Sequence, residues 1–164
     1  MDIYTNFIEL IESILPKELA IMVLATIPYL ELKGAIPIGL SLNLSYTSSF
    51  FYAFIGSIFP SPFIIYGINK VLKRIKKRKK FNKILQNLED KLRKKGSKVK
   101  NLKILGLFIF VSIPLPGTGV WTGSLLAGLF NLNSKRALVA IILGNFVSGI
   151  IISILSLGLI HLFN

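Results

Sequence analysis

The chain has 164 residues, a formal net charge of +13, and a composition that is 52% hydrophobic with a mean hydropathy of +0.67. That length suits one domain, but the hydropathy belongs to the bilayer rather than to a soluble fold. The absence of Cys excludes a disulfide framework and thiol chemistry, and the single histidine, His161, leaves no triad or zinc cluster. No metal, no cofactor and no enzymatic activity are expected.

A secretory leader opens on basic residues, whereas this chain has none before Lys17. Residues 1–16 instead place Ile3, Phe7, Leu10, Ile11, Ile14 and Leu15 at helical spacing, which predicts an amphipathic helix lying in the membrane interface or, equally, an ordinary short helix packed on the rest. Residues 17–44 form the first broken apolar stretch. Leu19 to Leu30 is followed by Glu31-Leu32-Lys33-Gly34, where the break is expected, and then by Ala35 to Leu44. Residues 45–69 are one apolar run, long enough to span a bilayer and predicted to kink at Pro60 and Pro62.

Residues 70–101 carry the charge. From Lys70 to Lys103 there are 16 Lys or Arg against only Glu89 and Asp90, while the remaining positions are close to neutral. A basic block between apolar segments reads as a cytoplasmic arm that obeys the positive-inside bias and attracts anionic headgroups, not as a nucleic-acid site. Phe81, Ile84, Leu85, Leu88 and Leu92 predict a helix within it, with Gly96 as its C-cap signal. Residues 102–132 are the second broken stretch: Leu102 to Ile113, then Pro114-Leu115-Pro116-Gly117-Thr118-Gly119, then Val120 to Leu132. Residues 133–164 are the second uninterrupted span.

Arms of about 10 to 14 residues cover roughly half of a 30 Å hydrocarbon core. An ionised Glu and Lys at the centre of a continuous span would cost about 2.5 to 3.5 kcal/mol each. Re-entrant hairpins whose tips are buried in protein avoid that cost. Sliding the chain by about 88 residues superposes Pro28 on Pro116, Asn43-Leu44 on Asn131-Leu132 and Gly56 on Gly144. Since a hairpin returns to its own side, each half crosses once and the second half is inverted. The fold class expected is therefore all-α integral membrane, an inverted repeat of two units that each hold a re-entrant hairpin and one transmembrane helix. With the basic arm inside, both termini fall outside.

Glu31 is the sharpest chemical position, because an acid at membrane depth marks a site, a proton relay or an ion pair. Lys33 stands two residues on, where regular helical spacing points it away from Glu31. Pro116, Gly117, Thr118 and Gly119 leave amides unpaired at the start of the next half helix, a ready anion site. Trp121 is placed to stack on a ligand or to pack. Asn145 and Ser148 of the second span face Ser57 and Ser61 of the first, a pattern that interhelical hydrogen bonds commonly use.

At Glu31-Leu32-Lys33-Gly34-Ala35-Ile36-Pro37-Ile38-Gly39 and at Pro114 to Gly123 the sequence resembles the small multidrug export proteins. It is similar, more distantly, to the DedA family, which is associated with translocating polyprenyl-phosphate lipids. Glu31 matches that family's hairpin acid and Pro116-Gly117 its turn, whereas the arginines flanking the turn are absent: Ser112, Gly119 and Val120 occupy that neighbourhood. The resemblance implies a multi-pass cell-membrane transporter for an amphipathic substrate, a lipophilic drug or a phosphate-bearing lipid, probed first at Glu31, Lys33, Pro116 to Gly119, Trp121 and Asn145. The alternative is a non-transporting scaffold that recruits anionic lipid or a partner through the basic arm. A homodimer would bury hairpin backbone that one chain leaves thinly covered.

Overall fold

The computed structural model describes residues 14–75 and 96–163, and all the elements among them are helical. They are α1 (Lys17–Ala25), α2 (Glu31–Ser41), α3 (Tyr46–Ile58), α4 (Pro60–Ile75), α5 (Gly96–Ser112), α6 (Val120–Leu129) and α7 (Ser134–Phe163). The interfacial helix expected over residues 1–16 and the arm helix expected over 81–92 lie outside the described residues, apart from Ile14 to Pro16.

Among the described residues, two helical runs are long and apolar enough to cross a membrane, Tyr46–Ile68 and Ser134–Gly158. The first is interrupted for one residue at Phe59, directly before Pro60, which cannot donate the backbone bond that would continue α3. Helix α4 continues past Asn69 to Ile75, and α5 begins at Gly96 and runs through Leu102 without a break. The boundaries expected at 69 and 102 therefore fall inside helices. Apolar content stops there, but nothing in the backbone chemistry does.

The chain doubles back between α1 and α2. Lys17 Nζ at the start of α1 donates to Leu42 O, just past α2, at 2.9 Å. The turn is Thr26 to Leu30, five residues before the break expected at Glu31 to Gly34. Pro28 disfavours helix at the residue before it and ends the first arm, whereas Glu31-Leu32-Lys33-Gly34 forms the first turn of α2. The second expected break does fall between helices, since α5 ends at Ser112 and α6 begins at Val120.

Both helix pairs close in the same way, 88 residues apart. Asn43 (φ 60°) and Asn131 (φ 50°) take the left-handed conformation that ends a helix. Leu44 N–H donates to Gly39 O and Asn43 N–H to Leu40 O, and Leu132 N–H donates to Ala127 O and Asn131 N–H to Gly128 O. The next helix is capped at the matching residue each time: Ser45 Oγ accepts from Ser48 N–H at 3.1 Å, and Asn133 Oδ1 from Arg136 N–H at 3.2 Å.

Glycines fix how the helix pairs sit on the first long run. A Cβ on Gly39 would meet Ser49 near the start of α3, while one on Gly128 would meet Ile68 in α4. The base of the first pair thus packs at one end of Tyr46–Ile68 and the base of the second at the other, so the two turns approach each other between them. Backbone approaches are close: a Cβ on Gly56 would collide with the Met22 carbonyl, and one on Gly144 would stand 2.7 Å from the Phe108 carbonyl. Small residues permit such contact between helices that have no hydrophobic driving force from lipid.

The buried apolar residues form two small clusters. One joins Ile21, Leu24, Leu32, Ile36 and Phe50, and the other joins Ile65, Leu107, Val111, Val120 and Ile141. Outside them, Phe51, Ile55, Phe59 and Phe63 stand exposed along the first run, as do Val139, Leu143, Phe146, Ile150 and Ile154 along α7. Apolar stripes of that length facing outward suit acyl chains better than water.

Candidate functional site

The first turn and the residue that follows it hold strained backbone. Tyr29 (φ 76°) and Glu31 (φ 43°) are left-handed non-glycine residues, a conformation that costs on the order of 1–3 kcal/mol and persists only where the surroundings fix it. The strain aims Glu31, which is 5% exposed, away from its own helix and toward the second turn. That turn is built around Thr118, whose Oγ1 donates to Ile113 O at 2.6 Å and accepts from Leu115 N–H at 3.1 Å. Gly117 (φ 84°) and Gly119 (φ 132°) carry the chain round in conformations that favour glycine.

Side chains of one turn are bonded to the backbone of the other. Glu31 Oε1 accepts from Trp121 N–H at 3.0 Å, with the Val120 amide directed at the same carboxylate. Lys33 Nζ donates to Leu115 O at 2.8 Å and to Thr118 O, and stands 3.7 Å from Glu31 Oε2. In return, Trp121 Nε1 donates to Thr26 O at 3.0 Å. Gly119 lies under the carboxylate so closely that a Cβ would collide with Glu31 Oε2.

Two sequence expectations change here. Regular spacing points Glu31 and Lys33 apart, yet they form an ion pair because Glu31 is left-handed and leaves the helical register. The open amides expected at the start of α6 are also not vacant, since the Glu31 carboxylate caps them. An external anion reaches that helix end only by displacing Glu31.

Beside the ion pair lies a cavity of about 500 Å³. Glu31, Lys33, Pro116, Gly117, Thr118 and Trp121 line it, so six of the eight expected site residues converge, and Gly119 touches Glu31 from behind. Asn145 is not among the lining residues. It is buried between the long runs, where Nδ2 donates to Ser57 Oγ at 2.7 Å. Ser61 pairs with Ser124 at 2.8 Å rather than with Ser148, whose hydroxyl has no partner among the described residues. Tyr29, Thr122 and Leu125 also line the cavity. Sequence reasoning missed Tyr29 because it sits in an apolar run whose turn is signalled only by Pro28.

Among the described residues no group of three or more His, Cys, Asp or Glu is assembled to hold a metal. The site is instead a buried carboxylate and a half-buried ammonium, paired at the junction of the two helix pairs and open to a cavity.

Outward apolar stripes, two membrane-length helical runs and a buried ion pair where those runs are flanked by broken helices define a helical membrane protein. The chain belongs to the family described as "Putative small multi-drug export protein", which it matches over residues 31–151. The matched segment begins at Glu31, directly after the first turn, and takes in the second. No curated protein and no solved structure matches the chain.

Proposed function

We propose that this chain is a multi-pass cell-membrane transporter, coupled to protons, that exports or flips an amphipathic substrate. The observation that carries the reading is the bond from Trp121 N–H to the Glu31 carboxylate, flanked by Lys33, at the wall of a cavity.

The reading rests on an inverted repeat of two re-entrant hairpins. In its support, the helix ends and caps recur at a spacing of 88, and the hairpin bases sit at opposite ends of Tyr46–Ile68. Depth follows from register. Glu31 is two turns before Gly39, and Gly39 packs on Ser49, so Glu31 stands level with Ser57, about 12 Å further along the span. Ser57 is the middle residue of Tyr46–Ile68, so the ion pair lies near the bilayer midplane, the usual place of a transporter site.

When Glu31 is ionised it caps α6 and attracts Lys33, and both interactions draw the turns together. Protonation removes the charge from the cap and from the pair, leaving Lys33 to its two carbonyls, and the turns can part. Proton occupancy then selects between a closed and an open cavity, which is the minimum for coupling. A lipophilic cation would take the place of Lys33 beside the carboxylate, as the family's description as a drug exporter suggests. A phosphate-bearing lipid would take the place of Glu31 on the α6 amides, with Lys33 beside it.

The test is uptake into proteoliposomes with and without a pH gradient, offering a lipophilic cation in one arm and a polyprenyl phosphate in the other. Gradient-dependent movement of either substrate supports transport and names its class. Movement of neither, in protein that retains its fold, would leave the scaffold reading in its place.

A further inference from the structure

We infer that a groove between α5 and α7, remote from the ion pair, is a site for one anionic diacyl phospholipid. The groove has a volume of about 670 Å³; Ile104, Phe108, Val139 and Leu143 form its apolar walls, and Lys135 and Arg136 stand at its mouth. It adjoins a cleft of about 330 Å³ that shares Ile104 and Arg136 and adds Lys103, Asn131 and Asn133. Three cations and two amides therefore surround the end of an apolar trough, the complement of a phosphate joined to acyl chains.

Charge at this place runs against local helix energetics. Lys135 and Arg136 occupy the first turn of α7, where the helix dipole disfavours cations and favours an anion. Among the described residues the ion pair is Lys33 with Glu31, and none engages Lys103, Lys135 or Arg136. A headgroup phosphate would answer both the dipole and the unpaired cations. Val139 and Leu143 are 55% and 53% exposed, so the trough opens sideways, toward acyl chains rather than toward bulk water.

The other half of the chain supplies a built-in comparison. A cavity of about 400 Å³ is lined by Thr47, Ser48, Phe51, Tyr52 and Ile55, each 88 residues before Lys135, Arg136, Val139, Ala140 and Leu143. The fold thus repeats the α7 wall of the groove on α3, and among those matched positions the sequence places cations only at Lys135 and Arg136. Anionic selectivity belongs to the groove of α5 and α7 and not to its counterpart. The inference is independent of transport.

Native mass spectrometry of the full chain in detergent, titrated with phosphatidylglycerol and with phosphatidylcholine of the same acyl chains, tests it. One copy of phosphatidylglycerol should be retained with a preference on the order of tenfold over phosphatidylcholine. Lys135→Gln with Arg136→Gln should abolish that preference, whereas neutralising Lys73, Arg74, Lys76 and Lys77 should leave the tight copy in place. Thr47→Lys with Ser48→Arg should add a second tight copy, which decides the matter even if the first variant fails to fold. Equal retention of the two lipids by the wild-type chain would overturn the inference. So would a preference that survives Lys135→Gln with Arg136→Gln, or that is lost on neutralising the arm, and so would full displacement of the lipid by inorganic phosphate.

Discussion

Glu31 and Trp121, 90 residues apart in sequence, are joined by a 3.0 Å hydrogen bond from the Trp121 amide to the Glu31 carboxylate. A side chain from one helical turn thereby caps the helix that leaves the other. Burial at this junction makes the contact consequential, because a cap inside a low-dielectric core is stronger than one in water and more costly to leave unmade.

Gly119 and Gly117 separate two effects of adding a methyl group. Gly117→Ala meets only the cost of a left-handed alanine, about 1–2 kcal/mol, since no atom stands near its Cβ position. Gly119→Ala meets strain at φ 132° and also collides with Glu31 Oε2, so it should expel the carboxylate from the α6 cap. Thermal unfolding in detergent should therefore show the larger loss for Gly119→Ala, and only that variant should also lose the pH response of transport. Equal losses would mean that Glu31 is not seated on Gly119.

Lys33 holds the second turn through the Leu115 and Thr118 carbonyls. Removing a charged donor from such bonds costs about 1.5–3 kcal/mol. Lys33→Met should therefore lower thermal stability. If a phosphate-bearing lipid is the substrate, it should impair that substrate selectively and spare a lipophilic cation.

Gly56 lets α1 and α3 touch through the Met22 carbonyl. Gly56→Val should force these helices apart and destabilise the first hairpin, whereas valine at Gly106, which has open space around its Cβ position, should be tolerated. Melting curves of the two variants check this, and similar melting points would contradict the close approach.

The re-entrant topology proposed for the two helix pairs predicts the accessibility of the termini. Both should be labelled from outside, and cysteines introduced at Asn82 and Lys98 only from inside. Termini labelled from opposite sides would mean that one helix pair crosses fully.

Much of this was legible in the sequence because apolar run length and breakers report directly on helix ends in a bilayer. The turn after Ser112 was visible in Pro114-Leu115-Pro116-Gly117-Thr118-Gly119, since those residues have few other uses. The turn at Thr26 to Leu30 is signalled only by Pro28, and the charge at Glu31 and Lys33 points instead to residues that begin a helix. The Glu31–Lys33 pair was also hidden. Residue spacing assumes regular dihedrals, and the positive φ of Glu31 is set by tertiary contacts that no local pattern encodes. Asn145 does not join the cavity, but its bond to Ser57 is the interhelical tie that its place opposite Ser57 predicts.

The central claim is that protonation of Glu31 controls whether the two turns stay joined. The most direct measurement is transport by wild type and Glu31→Gln in proteoliposomes across pH 5 to 8. Glutamine keeps the shape and can still accept the Trp121 amide, but it cannot titrate. The expected result is a folded, inserted variant whose transport is lost or flat across that range, while wild-type transport changes with pH. A Glu31→Gln protein that transports at the wild-type rate, with the wild-type pH profile, would contradict it.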